Sequence, residues 1–298
     1  MPRPDDDRRA IEDALRRHVD RLAGLIGPRS VAHPGSLDAA IGYITQQWEA
    51  ADWDVAREEY EARNHPAANL VVERAGTRQP DRIVLLGAHY DTVDGSPGAD
   101  DNASAVAVLL EVSRLLAAHD GRRTARYVAF AFEEAPYFNL GAMGSQHHAR
   151  MARGRDERID AMLCLEMVGY FTDEPGSQRL PPGIPRPLRR LFPKRGDFLA
   201  AVGNPASWRL CWSFRRGFKR GSQMPLFSVV LPESIDEIRR SDNSSFWDQG
   251  YPALMLTDTS FLRNANYHQP TDTPDTLDYA RMVDVTLGVA AAMRHLLG

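Results

Sequence analysis

The chain has 298 residues, 43% of them hydrophobic and 26% charged, with a formal net charge of -4. Its two cysteines, Cys164 and Cys211, exclude a disulfide framework, a thiolate-built zinc site and an iron–sulfur cluster. Any metal site must therefore draw on its 9 histidines and 40 aspartates and glutamates, and the acidic balance gives no electrostatic case for a nucleic-acid partner, which needs a basic face.

The length allows one or two domains at about 150 residues each. The segment 1–17 carries acids where a signal peptide needs an apolar core of about 7–15 residues. No stretch approaches the roughly 18 consecutive apolar residues of a membrane span. The expectation is a soluble cytoplasmic protein without a membrane partner, in an undetermined oligomeric state.

Residues 8–26 carry Ile11, Leu15, Val19, Leu22 and Ile26 at helical spacing, and Gly27-Pro28 ends the pattern. A second helix is expected from Ser36, as N-cap, to about residue 51. Segments 67–74 and 81–91 read as strands, the second almost wholly apolar and so central. A helix over 103–118, a buried strand over 125–134, a helix over about 141–152 and a strand over 160–166 follow. Segments 226–231 and 251–257 read as further strands, and a last helix spans about 277–297. Strands alternating with helices predict an α/β fold with a largely parallel sheet. The stretch 172–225 is rich in proline and arginine, including RPLRRLFPKR, and reads as an excursion over the surface. A strand-end motif near residue 89 must meet one near residue 268, which favours a single domain over 1–298.

Ligands in open α/β sheets gather at the carboxyl ends of strands. The first apolar strand ends in GAHYDTV, where His89 and Asp91 share a face, so the carboxylate can orient the imidazole. SPGADDNAS follows, with Asp100 and Asp101 in a turn before an apolar helix. Helix capping accounts for one of these side chains, but not for two carboxylates and Asn102 together. The strand over 125–134 ends in Glu133-Glu134, costly if buried unpaired. The strand over 160–166 ends in Glu166. A turn-rich loop carries His268, with Asp272 four residues on.

Together His89, Asp100, Glu134, Glu166 and His268 form a set of imidazoles and carboxylates that suits zinc. Five ligands match a site of two ions about 3.5–4 Å apart, with one bridge and two further ligands for each. Glu133 is left as a general base for a water molecule. Ser145, His147 and His148 hint at nucleophile chemistry, but the run falls on an expected helix and its histidine pair reads as surface. Cys164 reads as a small buried core residue.

GAHYDTV, PGADDNAS, FEE, LEMVGYF and YHQPTDTPDTLDY, in this order and spacing, resemble the zinc aminopeptidases of peptidase family M28. The resemblance runs over nearly the whole chain and implies a three-layer α/β/α sandwich around a mixed sheet. It implies zinc bound by His89 with Asp91 behind it, Asp100 as the bridge, Glu134 and Glu166 as ligands, and His268 completing the ligands of the second ion. Glu133 would be the base, and Tyr267 would stabilise the tetrahedral oxyanion. Glu166 stands where the best-known members have aspartate. In the SDN segment, expected near the substrate, Asp242 and Asn243 are candidate substrate contacts, and Asn243 stands where relatives often have histidine. Hydrolysis of a peptide bond at a free N-terminus of a peptide or aminoacyl substrate is the leading reading. Alternatives are a single-zinc glutaminyl cyclase, a carboxypeptidase-type or modified amino-acid hydrolase, and a binding module without catalysis. A GxSxG elbow, HExxH helix, P-loop and Rossmann fingerprint are all lacking.

Overall fold

Residues 4–298 are described by the structure, a computed structural model. Helix α1 (Pro4–Val19) runs into a π-helical turn, Asp20–Ile26, and the two bury Ile11, Leu15, Val19 and Leu22 along one stripe. Gly27, at a φ of 78°, stops the helix as its punctuation suggests. Helix α2 (Ser36–Glu49) begins one residue earlier than expected: Gly35, at a φ of 83°, takes the cap position and Ser36 is the first helical residue.

Strands β1 (Ala56–Ala62), β2 (His65–Arg74) and β3 (Gln79–His89) follow, then helix α3 (Ala105–Leu115), strand β4 (Arg123–Phe130), helix α4 (Gly144–Gly154) and strand β5 (Arg158–Glu166). Next come strand β6 (Leu199–Gly203), helix α5 (Trp208–Phe218), strand β7 (Leu226–Val230), the short helix α6 (Asn243–Asp248), strand β8 (Ala253–Thr257) and helix α7 (Tyr279–Leu297). The eight strands form one sheet in the order β1-β2-β4-β3-β5-β8-β6-β7. β4, β3, β5 and β8 run parallel, whereas β1–β2, β2–β4 and β6–β8 are antiparallel, so the sheet is mixed.

Alternation along β3 sets the layers. Val84, Leu86 and Ala88 join the core beneath α1, α2, α3, α5 and α7, and Ile83 and Leu85 join the core beneath α4 and α6. The sheet is thus covered on both faces, as its apolar central strands require.

The stretch 172–225 departs from expectation in its second half. β6 is wholly buried and sits between β8 and β7, and α5 packs along α7. Gly217 allows that contact: a Cβ there would lie 2.7 Å from Ala292 Cα. The five apolar residues of β6 are too short a run to stand out, and the arginines of α5 mask its buried stripe of Leu210, Cys211, Phe214 and Phe218. β1 was also unforeseen, because AREEYEA is polar and half-exposed at the sheet edge. The histidine pair on α4 divides: His147 is partly exposed and stacks on Tyr60, whereas His148 is buried and its Nδ1 lies 3.0 Å from Glu58 Oε2. His148 is therefore not a surface residue.

Candidate metal centre

The parallel register of β4, β3 and β5 aligns His89 with Phe130, and Gly87 with Cys164. Counting two residues on from the latter pair sets His89 beside Glu166, and the chain leaving β4 brings in Glu133 and Glu134. Phe132, Met167 and His268 have φ of 54°, 47° and 59°, in the left-handed region. Three non-glycine residues in that region, each costing on the order of 1–3 kcal/mol, mark a site that the surrounding fold holds in place.

Two cradles result. His89, Asp101 and Glu166 bring one ligand atom each to the first, and Asp101, Glu134 and His268 to the second. His89 Nε2 lies 3.6 Å from Asp101 Oδ1 and 3.4 Å from Glu166 Oε2. His268 Nε2 lies 3.2 Å from Asp101 Oδ2 and 3.3 Å from Glu134 Oε2. The shared residue is Asp101, which corrects the expectation of Asp100. Asp100 turns the other way: its Oδ1 accepts from the Gly169 amide at 2.9 Å and its Oδ2 from Asn264 Nδ2 at 2.8 Å.

The loop carrying Asp101 is fixed from several sides. Asp272 accepts the amides of Asp100 and Asp101 at 2.9 and 3.1 Å, and Asn102 bonds Leu165 O and the Met167 amide at the end of β5. Arg29, fully buried, donates to the carbonyls of Leu22, Gly27, Tyr90, Pro97 and Gly98. Burial lowers its guanidinium to about 10, which leaves it charged at neutral pH.

Asp91 reaches both His89 and the segment that leaves β4. Nδ1 of His89 lies 3.2 Å from the Asp91 carbonyl and 3.5 Å from its carboxylate. The carboxylate oxygens accept the amides of Glu133 and Glu134 at 3.0 Å each. Ser241 donates to Glu166 Oε2 at 2.6 Å, and Cys164, buried as expected, backs Ser241 at 3.1 Å. Asp242 and Asn243 are fully buried at the start of α6 and line neither cavity at the site, so the expectation of direct substrate contact is not met. Ser241, Asn264 and Asp272 join the site from the SDN segment and the last loop. Asp272 carried a sequence signal in its spacing from His268, and Ser241 in its place within SDN; Asn264 carried none.

The site carries more carboxylate than imidazole. Burial pushes the Glu133 carboxyl well up, with Glu134 and Glu166 adding to it against His89. Burial and Asp101 raise Glu134 to about 7. Burial alone would lower His268, but Asp101 and Glu134 raise it to about 10. The buried Nε2 atoms of His89 and His268 and Oε1 of Glu134 have no hydrogen-bond partner within the protein. Unpartnered imidazole nitrogens aimed at buried carboxylates are what a borderline divalent cation satisfies, so the residues fit zinc.

Asp101, Glu133, Glu134, Glu166, Tyr267 and His268 line one cavity. Glu166, Tyr267 and Arg240 are shared with a second, more apolar cavity, whose walls include Phe192, Phe198, Phe227, Ile238, Met255 and Phe261. The Tyr267 ring stacks on His268 with centroids 3.7 Å apart.

A family model described as "Peptidase family M28" matches residues 69–293. An Escherichia coli K12 protein, "Uncharacterized protein YfbL", is 34% identical over 294 residues, covering 96% of this chain and 88% of that protein. The fold resembles that of a zinc aminopeptidase from Bacillus subtilis, with a TM-score of 0.73 at 14% identity over 95% of this chain and 94% of the other. It also resembles a glutaminyl cyclase from Fimbriiglobus ruber, with a TM-score of 0.66 at 18% identity over 95% of each chain.

Proposed function

The chain belongs to peptidase family M28 and is a metallopeptidase, and from that premise we propose that it is a zinc aminopeptidase holding two ions. The observation that carries this reading is the pair of cradles sharing Asp101, with Glu133 beside them. His89, Asp101 and Glu166 would hold one ion, and Asp101, Glu134 and His268 the other. Zinc, when bound, supplies Lewis acidity to the scissile carbonyl and acidifies water.

The rest of the chemistry belongs to side chains. Glu133 Oε2 lies 3.9 Å from His89 Nε2, and its backbone is pinned by Asp91. Its raised affinity for a proton suits a group that takes one from the attacking water and gives it to the leaving amine nitrogen. Tyr267 lines both cavities and so stands where the acyl half of a substrate would pass. The aromatic and aliphatic walls of the second cavity favour an apolar side chain on the residue released.

The test is hydrolysis of aminoacyl anilides, loss of activity with a chelator and recovery with zinc. An N-acetylated anilide should not be cleaved. Turnover of the acetylated substrate at the same rate would rule out an aminopeptidase. The likeness to a glutaminyl cyclase fold supports a second reading. Cyclisation of an N-terminal glutaminyl peptide with one zinc per chain would select it. The complete first cradle favours two ions.

A further inference from the structure

Helix α5 carries an outer face that the proposed chemistry does not use. Its inner stripe, Leu210, Cys211, Phe214, Gly217 and Phe218, is buried against the sheet and α7. The outer face presents Trp208 and Trp212, one turn apart and 56% and 62% exposed. Arg209, Arg215 and Arg216 are exposed between and beside them. The guanidinium of Arg209 lies 5.2 Å from the Trp208 ring and that of Arg216 lies 5.6 Å from Trp212. Lys219 and Arg220 extend the charge past the end of the helix, and Arg294 and His295 lie on the adjoining part of α7. α5 contains no acid, and among the described residues no carboxylate lies within 4.0 Å of a charged atom of any of its arginines.

Exposing two tryptophans costs hydrophobic free energy, and stacking a cation on each concentrates positive charge there. In a chain of net charge -4, such a face is a local positive patch, complementary to an anionic surface. A second copy docking face to face would set arginines against arginines. A protein partner would need pockets shaped for both rings. A bilayer needs only a convex face with indole rings at headgroup depth and cations against lipid phosphates.

We propose that the outer face of α5 is a docking surface for an anionic membrane, using Trp208 and Trp212 as interfacial anchors and Arg209, Arg215 and Arg216 as headgroup contacts. No helix of the described residues is long and apolar enough to cross a membrane. The orientation of this face leaves the site free. β6 runs antiparallel to β8, so it ends at the edge of the sheet away from the metal centre, where Trp208 begins α5.

The test is co-sedimentation of the full chain with vesicles of equal parts phosphatidylglycerol and phosphatidylcholine, and with phosphatidylcholine alone, at low ionic strength. The expected result is binding to the anionic vesicles only, reversed by salt. Trp208→Ser with Trp212→Ser, and separately Arg209→Gln with Arg215→Gln and Arg216→Gln, should each lower partitioning at least about ten-fold. Both variants should keep the wild-type thermal melt and solution activity, which shows that the fold survives. Three results would overturn the proposal: no binding of the wild type to anionic vesicles, variants that bind as well as the wild type, or binding of a duplex oligonucleotide in place of vesicles with the same residue dependence.

Discussion

Asp101 and His268 face each other across 3.2 Å, carboxylate Oδ2 to imidazole Nε2. The other oxygen of Asp101 is 3.6 Å from His89, so one side chain spans both cradles. Asp101→Asn is therefore expected to empty both, whereas Asp100→Asn should keep its zinc, because Asp100 is engaged by Gly169 and Asn264. Zinc per chain by elemental analysis decides this. The opposite ranking would return the bridge to Asp100.

Glu133→Gln keeps the shape of the side chain and removes the proton acceptor. Turnover should fall about 10²–10⁴-fold with zinc content unchanged. Loss of zinc in this variant would make Glu133 a ligand instead of a base.

The apolar walls of the second cavity predict the side chain released. Leucyl and phenylalanyl anilides should exceed the alanyl anilide in kcat/KM by at least about ten-fold, and a glutamyl anilide should be poorer still. Ala200 lies on the cavity wall at the start of β6. Ala200→Phe should cut phenylalanyl turnover more than alanyl turnover. Equal losses on both would place the released residue elsewhere.

Arg29 binds five carbonyls from a fully buried position, two of them, Pro97 and Gly98, just before Asp101. Arg29→Met strands those acceptors at about 1–3 kcal/mol each, so urea melts should show a loss of several kcal/mol and zinc should dissociate more readily. A neutral effect on both would leave Arg29 without a role in the site.

Glu58 gives a pH dependence outside the metal centre. Burial would raise its carboxyl, but hydrogen bonds from His148 and Asn69 outweigh that and hold it at about 2, against an ordinary 4.5. Between those values the unfolded chain binds the proton and the folded one does not. The contribution of Glu58 to stability is therefore complete above about pH 4.5 and is lost as the pH falls toward 2. Glu58→Gln should show a shallower loss of stability than the wild type over that window, read from urea melts at successive pH values. Parallel acid limbs would dissociate Glu58 from acid stability.

Periodicity was enough to read α1, β3, α3, β5 and α7, because each buries a long, regular stripe. It failed where that stripe was short or diluted. β6 has five residues, α5 carries arginine on its outer face, and β1 is a polar edge strand. The proline- and arginine-rich composition of 172–225 described the loops of that stretch and concealed the two elements within it.

The sequence by itself determined the kind of site: imidazole and carboxylate at the ends of apolar strands, with sulfur excluded, because strand direction alone sends those residues to one edge of the sheet. Only the tertiary structure decided between Asp100 and Asp101. Neighbours in a turn point in different directions, and which of them faces the imidazoles depends on Gly169, Asn264 and Asp272, which hold the loop from distant parts of the chain. The same dependence on distant partners buried Asp242 and Asn243 behind the site and brought Ser241 to Glu166.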